Sequence, residues 1–289
     1  MPPRSALYVP GSKARALEKA PTLGADALII DLEDSVAPDA KEAARRATLQ
    51  FLRAHAGESE LFCTVRINAL HHDLWRDDLE AVLPGAPDAL VVPKVEHFED
   101  LMALESLLET HDSTGEIRLW AMIESPLAVL NAFDIARHPR VSALMMGTSD
   151  LTRELRPYNA MLRGNEPDRS PFHTALQQVV LAGRAAGVNL IDGVYVDLKD
   201  VSGFAAECQE GLRLGFDGKS VIHPSQIGPA NTIFLPSDEE LQRAKRILDA
   251  WHAAQKIGDE VCVVEGRLVE RLHAAEAAFI MHRRGQATP

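Results

Sequence analysis

The chain has little of several residue classes, and each scarcity excludes a class of protein. Its 289 residues include only three cysteines, Cys63, Cys208 and Cys262, too few and too scattered for a disulfide framework or a zinc site. Aromatic residues make up only 5% of the chain. Long apolar runs are lacking as well, since none reaches the roughly 20 residues of a membrane span. The N-terminal residues carry no export or anchoring signal. We therefore expect a reduced, cytoplasmic protein with no membrane partner.

Positive charge is also scarce. The sequence has 30 lysines and arginines against 42 aspartates and glutamates, which gives a formal net charge of −12. No basic stripe offsets this balance, so nucleic acid is excluded as a partner. An anionic substrate would need a local cationic pocket.

The sequence does contain a regular alternation of short apolar runs and helical patterns. Parallel strands covered by helices are buried on both faces and therefore read as continuous apolar runs. We predict strands near residues 6–9, 27–32, 61–67, 89–93, 118–124, 143–147, 188–194 and 218–222. We predict helices over residues 13–20, 41–54, 74–83, 98–110, 127–136, 172–186, 199–214 and 224–234.

Eight such strand–helix units predict the α/β class, specifically a (β/α)8 TIM barrel, over residues 1–234. The competing doubly wound sheet lacks its nucleotide-binding fingerprint, because VPGSKAR matches neither GxGxxG nor a Walker motif. A polar insertion at 152–171 is predicted to be a lid or an interface element. Residues 235–289 are predicted to form a C-terminal helical extension at a subunit interface, because its apolar stripe must cover something outside a closed barrel.

Charged residues follow the apolar runs at their carboxyl ends, where the strands of an α/β barrel carry its functional groups. Glu124 and Asp150 follow adjacent strands and are candidate Mg²⁺ ligands, although both could instead cap the following helices. Arg66 can bind a substrate carboxylate through two parallel hydrogen bonds. Its alternative role is a structural salt bridge to Asp31 or Glu33.

Other charged residues near these strand ends have less defined roles. Glu33, with Asp31 and Asp34, is predicted to orient Arg66 and metal-bound waters. Lys94 could neutralise these acids, touch the substrate or form a Schiff base. The histidines that follow the third and eighth strands are predicted to be exposed or structural: His71, His72 and His223.

Six segments together resemble the citrate lyase β-subunit-like group of the HpcH/HpaI aldolase family, which includes malyl-CoA and citramalyl-CoA lyases. They are RSALYVPGSKARALEKA, DALIIDLEDSV, TVRIN, VVPKVE, MIESP and GTSDL, in this order between Arg4 and about His223. The resemblance implies a TIM barrel, a Mg²⁺ site and cleavage or formation of a C–C bond beside a CoA thioester. It also implies a homotrimer or hexamer in which the C-terminal segment covers a neighbour's active site.

The resemblance assigns roles to individual residues. It makes Glu124 and Asp150 the metal ligands and Arg66 the group that holds the carboxylate of a 2-oxo acid. Tyr8, Lys13 and Arg15 then belong to the CoA channel, and the free N–H groups of the first helix favour phosphate. The alternative for these last residues is a solvated helix face.

Two departures from the family pattern concern the reaction itself. Relatives often carry a catalytic aspartate in a stretch resembling DGxMVD, whereas this chain reads EGRLVE and offers Glu270. Ser149 stands where many relatives have glutamate. Independently of these departures, backbone N–H groups from Gly147 to Ser149 are expected to hold an oxyanion.

The expected function is Mg²⁺-dependent carbon–carbon cleavage of a 3-hydroxy-3-carboxyacyl-CoA of the malyl-CoA or citramalyl-CoA type. The products are a 2-oxo acid and an acyl-CoA. The alternatives are an acyl-CoA thioesterase, a metal-dependent aldolase on free 2-oxo acids, and a citrate lyase β-type subunit of a larger complex.

Overall fold

A computed structural model describes residues 1–57, 61–112, 115–156 and 169–285 of the chain. Eight parallel strands close into a barrel in which each strand pairs with the next and the last pairs with the first. This arrangement confirms the predicted TIM barrel. The strands are β1 (Ser5–Pro10), β2 (Ala27–Asp31), β3 (Phe62–Arg66), β4 (Ala89–Val92), β5 (Arg118–Ile123), β6 (Val141–Met146), β7 (Asn189–Asp192) and β8 (Gly218–Val221).

The barrel strands are buried on both faces. Side chains pointing inward, among them Ile29, Trp120 and Ile191, pack into one core cluster inside the barrel. Their neighbours along the same strands, such as Leu28 and Leu190, are also fully buried. This two-sided burial is the reason that the strands read as continuous apolar runs.

Ten α-helices are described in the barrel portion of the chain, and most lie where the sequence predicts them. The prediction of one helix over 127–136 is wrong, because the segment divides into two helices at Asn131. The side-chain Nδ2 of Asn131 donates to the Glu96 carbonyl oxygen at 2.8 Å. The helices are α1 (Ala14–Lys19), α2 (Lys41–Ala54), α3 (Leu74–Val82), α4 (Phe98–His111), α5 (Pro126–Leu130), α6 (Ala132–Ala136), α7 (Thr148–Leu155), α8 (His173–Ala186), α9 (Val201–Leu214) and α10 (Pro224–Ile233).

The predicted insertion is described only at its two ends, since residues 157–168 lie outside the described ranges and leave the lid prediction untested. Arg169, at its second end, is buried and donates to both carboxylate oxygens of Asp192 at 2.6 and 3.0 Å. The ammonium of Lys219, itself fully buried, donates to Asp192 at 3.0 Å and to Glu207 at 2.7 Å. A paired ionic cluster therefore fixes this end of the insertion to β7 and β8.

The residues from Thr232 onward form a second compact unit. It contains α11 (Asp238–Lys256), the antiparallel pair β9 (Cys262–Val264) and β10 (Arg267–Val269), and α12 (Arg271–Arg283). Leu248, Trp251, Val269 and Met281 lie in its core. Its predicted position at a subunit interface stays a prediction. In the parts of the chain that the structure describes, no helix is both long and apolar enough to cross a membrane.

Candidate active site at the carboxyl end of the barrel

A cavity of about 360 Å³ opens beside the carboxyl ends of the barrel strands. Its charged lining consists of residues that the sequence singles out, which come from the ends of four strands. In the apolar part of the wall, Tyr8 was predicted and the other residues were not. The polar lining includes Asp31, Asp34, Arg66, Glu124 and Asp150, and the apolar lining includes Tyr8, Met122, Met146, Val194 and Ile222.

Arg66 is held in place by several groups at the ends of β2 and β3. Its Nε and Nη2 atoms donate to the two carboxylate oxygens of Asp31 at 2.6 and 2.8 Å. Its Nη1 atom lies 3.0 Å from Glu33 and 3.6 Å from Asp34. The guanidinium also stacks over the Tyr8 ring at 4.9 Å from its centroid. The salt bridge considered as an alternative role therefore exists, and Arg66 lines the cavity at the same time.

Glu33 is a buried acid between two cations. It pairs with Arg66 at 3.0 Å and with the Lys94 ammonium at 3.4 Å. Burial raises the pKa of Glu33 to about 7, with repulsion from Asp34 and Asp31 adding to the shift and Arg66 and Lys94 opposing it. A carboxyl group with such a pKa can exchange protons near neutral pH.

Glu124 and Asp150 face the same cavity. Oε1 of Glu124 accepts the backbone N–H of Lys94 at 2.6 Å. Burial raises the pKa of Glu124 to about 7, and the charges of Glu33 and Asp150 raise it further than the Lys94 N–H lowers it. The helix-cap alternative does not hold for Glu124, because the neighbouring Ser125 caps α5 by accepting the Ala128 N–H at 3.1 Å.

The donor set of this pair fits magnesium. Among the described residues, no group of three or more histidine, cysteine, aspartate or glutamate side chains is arranged as a metal site. Mg²⁺ commonly binds one or two protein carboxylates and completes its octahedron with water and substrate oxygens. Burial is the largest cause of the raised pKa of Glu124, and repulsion from Glu33 and Asp150 adds to it; a divalent cation would offset that repulsion.

Gly147 shapes the site through its missing side chain. A Cβ at this position would overlap Cβ and Oε2 of Glu124, so only glycine leaves room for that carboxylate. The expectation that the Gly147 N–H holds an oxyanion is wrong, because this group donates to the Ile123 carbonyl oxygen at 3.0 Å.

The three residues assigned to CoA lie in different environments. Tyr8 is in the cavity wall, and its hydroxyl lies 3.4 Å from Sδ of Met145. Lys13 and Arg15 are exposed at the start of α1, and neither lines the cavity. The N–H of Lys13 already donates to the Pro10 carbonyl oxygen at 3.0 Å, which leaves fewer free donors than predicted at this short helix.

Lys94 lies beside the acids rather than in a pocket that would activate its amine. Burial alone would lower the pKa of Lys94, but Glu33, Asp34 and Glu124 outweigh it and raise the pKa above its usual value. The ammonium form is not a nucleophile, so this environment does not favour a Schiff base. His71 and His72 are exposed, as expected.

Glu270 belongs to the second compact unit, where it occupies the N-cap position of α12 and is exposed. Its backbone N–H donates to Nδ1 of His273 at 3.1 Å. The EGRLVE stretch around it is a hairpin, with Glu265 and Gly266 at its turn in left-handed conformations of φ 51° and 74°. The catalytic role of Glu270 stays a prediction.

A support behind the acidic loop that follows β2 was not predicted from the sequence. The buried Lys41 ammonium donates to the carbonyl oxygens of Leu32 and Glu33 at 2.7 and 2.8 Å and to Asn68 Oδ1 at 2.7 Å. Asn68 in turn donates to the buried carboxylate of Asp78. A lysine at a helix start is usually exposed, so its sequence position gave no signal of this role.

This barrel, with acids and one arginine around a cavity at its carboxyl end, has the architecture of a TIM-barrel enzyme. The chain belongs to the HpcH/HpaI aldolase/citrate lyase family, whose sequence model matches residues 4–224.

Named relatives cover nearly the whole chain. The chain is 44% identical over 276 residues to a (3S)-malyl-CoA thioesterase of Cereibacter sphaeroides, covering 96% of this chain and 92% of the relative. It is 33% identical over 290 residues to the citrate lyase subunit beta of Escherichia coli, with 97% and 92% covered. It is 31% identical over 301 residues to an L-malyl-CoA/beta-methylmalyl-CoA lyase of Cereibacter sphaeroides, with 98% and 94% covered.

A solved structure shares the architecture. It is that of protein CitE from Mycobacterium tuberculosis in complex with magnesium, acetoacetate and coenzyme A. The TM-score is 0.78, with 28% identity and 98% of both chains covered. The family is therefore enzymatic, and the three sequence relatives are named as a thioesterase, a citrate lyase subunit and a lyase.

Proposed function

We propose that this chain is a Mg²⁺-dependent enzyme that hydrolyses a malyl-CoA-type thioester to free CoA and a hydroxydicarboxylic acid. The observation that carries the proposal is the single cavity that presents Arg66, Glu124 and Asp150 together. The 44% identity to a (3S)-malyl-CoA thioesterase favours hydrolysis as the reaction.

Residues that line the cavity, and Glu33 beside Arg66, divide the work in this proposal. Arg66, held by Asp31, binds the free carboxylate of the substrate. Glu124 and Asp150 hold Mg²⁺, which supplies Lewis-acid polarisation of substrate oxygens. Glu33 exchanges a proton with the attacking water, because its pKa of about 7 keeps both forms populated at neutral pH. One water is consumed, the C–S bond breaks, and the CoA thiol leaves with a proton.

Carbon–carbon cleavage of the same substrate class is the second candidate. The similarity to a malyl-CoA lyase and the retained Arg66, Glu124 and Asp150 set support it. For this reaction we assign Glu270 as the base, reaching the site from a neighbouring subunit of a homotrimer or hexamer. The family resemblance supports this assembly. The extra methylene of a glutamate at that position displaces the carboxylate relative to an aspartate, which weakens the case for cleavage.

We also propose that Lys13 and Arg15 bind the phosphates of CoA. Both are exposed cations beside the loop that follows β1. Replacing both with alanine raises KM for the thioester and leaves Mg²⁺ dependence intact. Lys19→Ala is the matched control, because it removes an exposed cation from the other end of the same helix.

Product analysis tests the proposed reaction. The protein is incubated with (3S)-malyl-CoA and Mg²⁺, and free CoA, malate, glyoxylate and acetyl-CoA are quantified. Equal amounts of CoA and malate without glyoxylate support hydrolysis. Glyoxylate and acetyl-CoA in equal amounts support the lyase instead, and no turnover of this thioester overturns both candidates.

A further inference from the structure

We propose that Lys94 is a positioning residue that acts through its left-handed backbone, which aims its N–H at Glu124 and fixes this carboxylate for metal binding. The inference rests on the proposed function, because it takes Glu124 as a Mg²⁺ ligand. It assigns to Lys94 a role that its ammonium group does not perform.

The backbone of Lys94 adopts φ 55°, a region that residues other than glycine rarely occupy. Its N–H donates to Oε1 of Glu124 at 2.6 Å, a short hydrogen bond to a buried carboxylate. On the opposite side, Oε2 of Glu124 occupies the space that a Cβ at Gly147 would fill. The carboxylate is thus located by one backbone donor and one missing side chain.

The residues around Lys94 hold the strained conformation in place. Pro93 precedes it with a restricted φ, and Val95 follows it fully buried. Glu96 then accepts the hydroxyl of Ser125 at 2.6 Å, which ties the segment after β4 to the residue that follows Glu124. Such anchoring on both sides is what allows an unfavourable φ to persist at a functional site.

This anchoring predicts how the site responds to a change at position 94. With both flanks fixed, a residue that rejects φ 55° can relax only by rotating the peptide plane between Pro93 and Lys94. That plane carries the N–H that Glu124 accepts. Rotation therefore removes the donor from Glu124, whatever the charge of the new side chain.

Loss of the Lys94 charge and loss of its backbone conformation are expected to change cation affinity in opposite directions. The ammonium lies 3.4 Å from Glu33 and contributes positive charge to the acidic mouth of the barrel. Removing that charge makes the cavity more negative, which favours a divalent cation. If the backbone positions Glu124, only substitutions that disturb φ weaken cation binding.

The test is a Mn²⁺ titration of four variants of the full-length protein. Electron paramagnetic resonance measures the free Mn²⁺ at each point of the titration. Lys94→Met keeps an unbranched stem and removes the charge, and Lys94→Gly removes the charge while favouring positive φ. Lys94→Val and Lys94→Ile are β-branched and disfavour positive φ. Glu124→Gln is the reference for loss of the metal site, and thermal unfolding is recorded separately for every variant.

We expect Lys94→Met and Lys94→Gly to bind Mn²⁺ at least as tightly as the wild type. Lys94→Val and Lys94→Ile should bind it at least about tenfold more weakly, the fold-change of one lost hydrogen bond to a charged group. Equal affinity in all four variants, whether unchanged or weakened, overturns the backbone role. If the β-branched variants fail to fold, weakened binding in Lys94→Gly alone has the same consequence. If Glu124→Gln binds Mn²⁺ as the wild type does, the proposed metal site itself is wrong, which separates the two failures.

Discussion

Arg66 and Asp31 are joined by two parallel hydrogen bonds of 2.6 and 2.8 Å at the ends of β3 and β2. The pair is buried, and its strands are direct neighbours with Asp31 and Arg66 in register. The carboxylate thereby fixes the plane of the guanidinium and leaves Nη1 directed at Glu33. The salt bridge is thus a structural role of Arg66, and substrate recognition by the same guanidinium stays a prediction.

Arg66→Met is expected to lower the free energy of unfolding by about 3–5 kcal/mol, because it leaves the buried Asp31 carboxylate without its cation and Glu33 with Lys94 alone. Urea denaturation followed by circular dichroism measures the change. Arg46→Met is the control, because the Arg46–Glu42 pair is exposed and contributes about 0.3–0.5 kcal/mol. Equal effects in the two variants would contradict the structural role of Arg66.

Gly147→Ala is expected to displace the Glu124 carboxylate, because the new Cβ overlaps its Cβ and Oε2 atoms. A displacement near 1 Å costs about 10²-fold in turnover, and Mn²⁺ affinity should fall with it. Gly228→Ala is the control, since its Cβ would meet nothing within 4 Å. Steady-state kinetics and Mn²⁺ titration of both variants check the prediction, which fails if Gly147→Ala keeps wild-type values.

The cluster around Asp192 predicts a pH dependence of stability. Burial alone would raise the pKa of Asp192, but Lys219 and Arg169 outweigh it and hold the pKa below its usual value. The Asp192 carboxylate therefore binds a proton less readily in the folded state than in the unfolded state. The stabilisation is fully present above the unfolded-state pKa, about 3.9, and is lost as the pH falls through the folded-state pKa.

Asp192→Asn should reduce the free energy of unfolding most at neutral pH, and the difference from the wild type should shrink on acidification. Urea denaturation between neutral and acidic pH measures this difference. Asp134→Asn is the control, since Asp134 forms an exposed pair with Arg137. A difference for Asp192→Asn that is constant with pH would show that the carboxylate is not stabilised in the folded state.

The sequence was sufficient to predict the barrel and the charged part of the cavity wall. Continuous apolar runs located every barrel strand to within two residues at each end, because strands buried on both faces leave a clear pattern. The charged residues at their ends converge for the same topological reason. Arg66, Glu124 and Asp150 follow directly from this logic.

The remaining features depend on tertiary contacts that no local pattern encodes. Lys41 is buried because three oxygens surround its ammonium, and Lys94 adopts a positive φ although nothing in its residue type favours it. The division of the predicted helix over 127–136 lies at Asn131, which bonds to a distant carbonyl group. Glu265 and Gly266 form a hairpin turn, whereas the sequence showed them only as part of the EGRLVE stretch that resembles a family motif.

The most direct test of the account is the Mg²⁺ dependence of CoA release from (3S)-malyl-CoA by the wild type and by Glu124→Gln. Glu99→Gln, which changes an exposed acid on α4, serves as the control, and circular dichroism confirms that each variant is folded. We predict that the wild type turns over, that its turnover is lost with EDTA and restored by Mg²⁺, and that turnover falls by about 10²-fold or more in Glu124→Gln. Turnover that survives both EDTA and the Glu124→Gln change would contradict it.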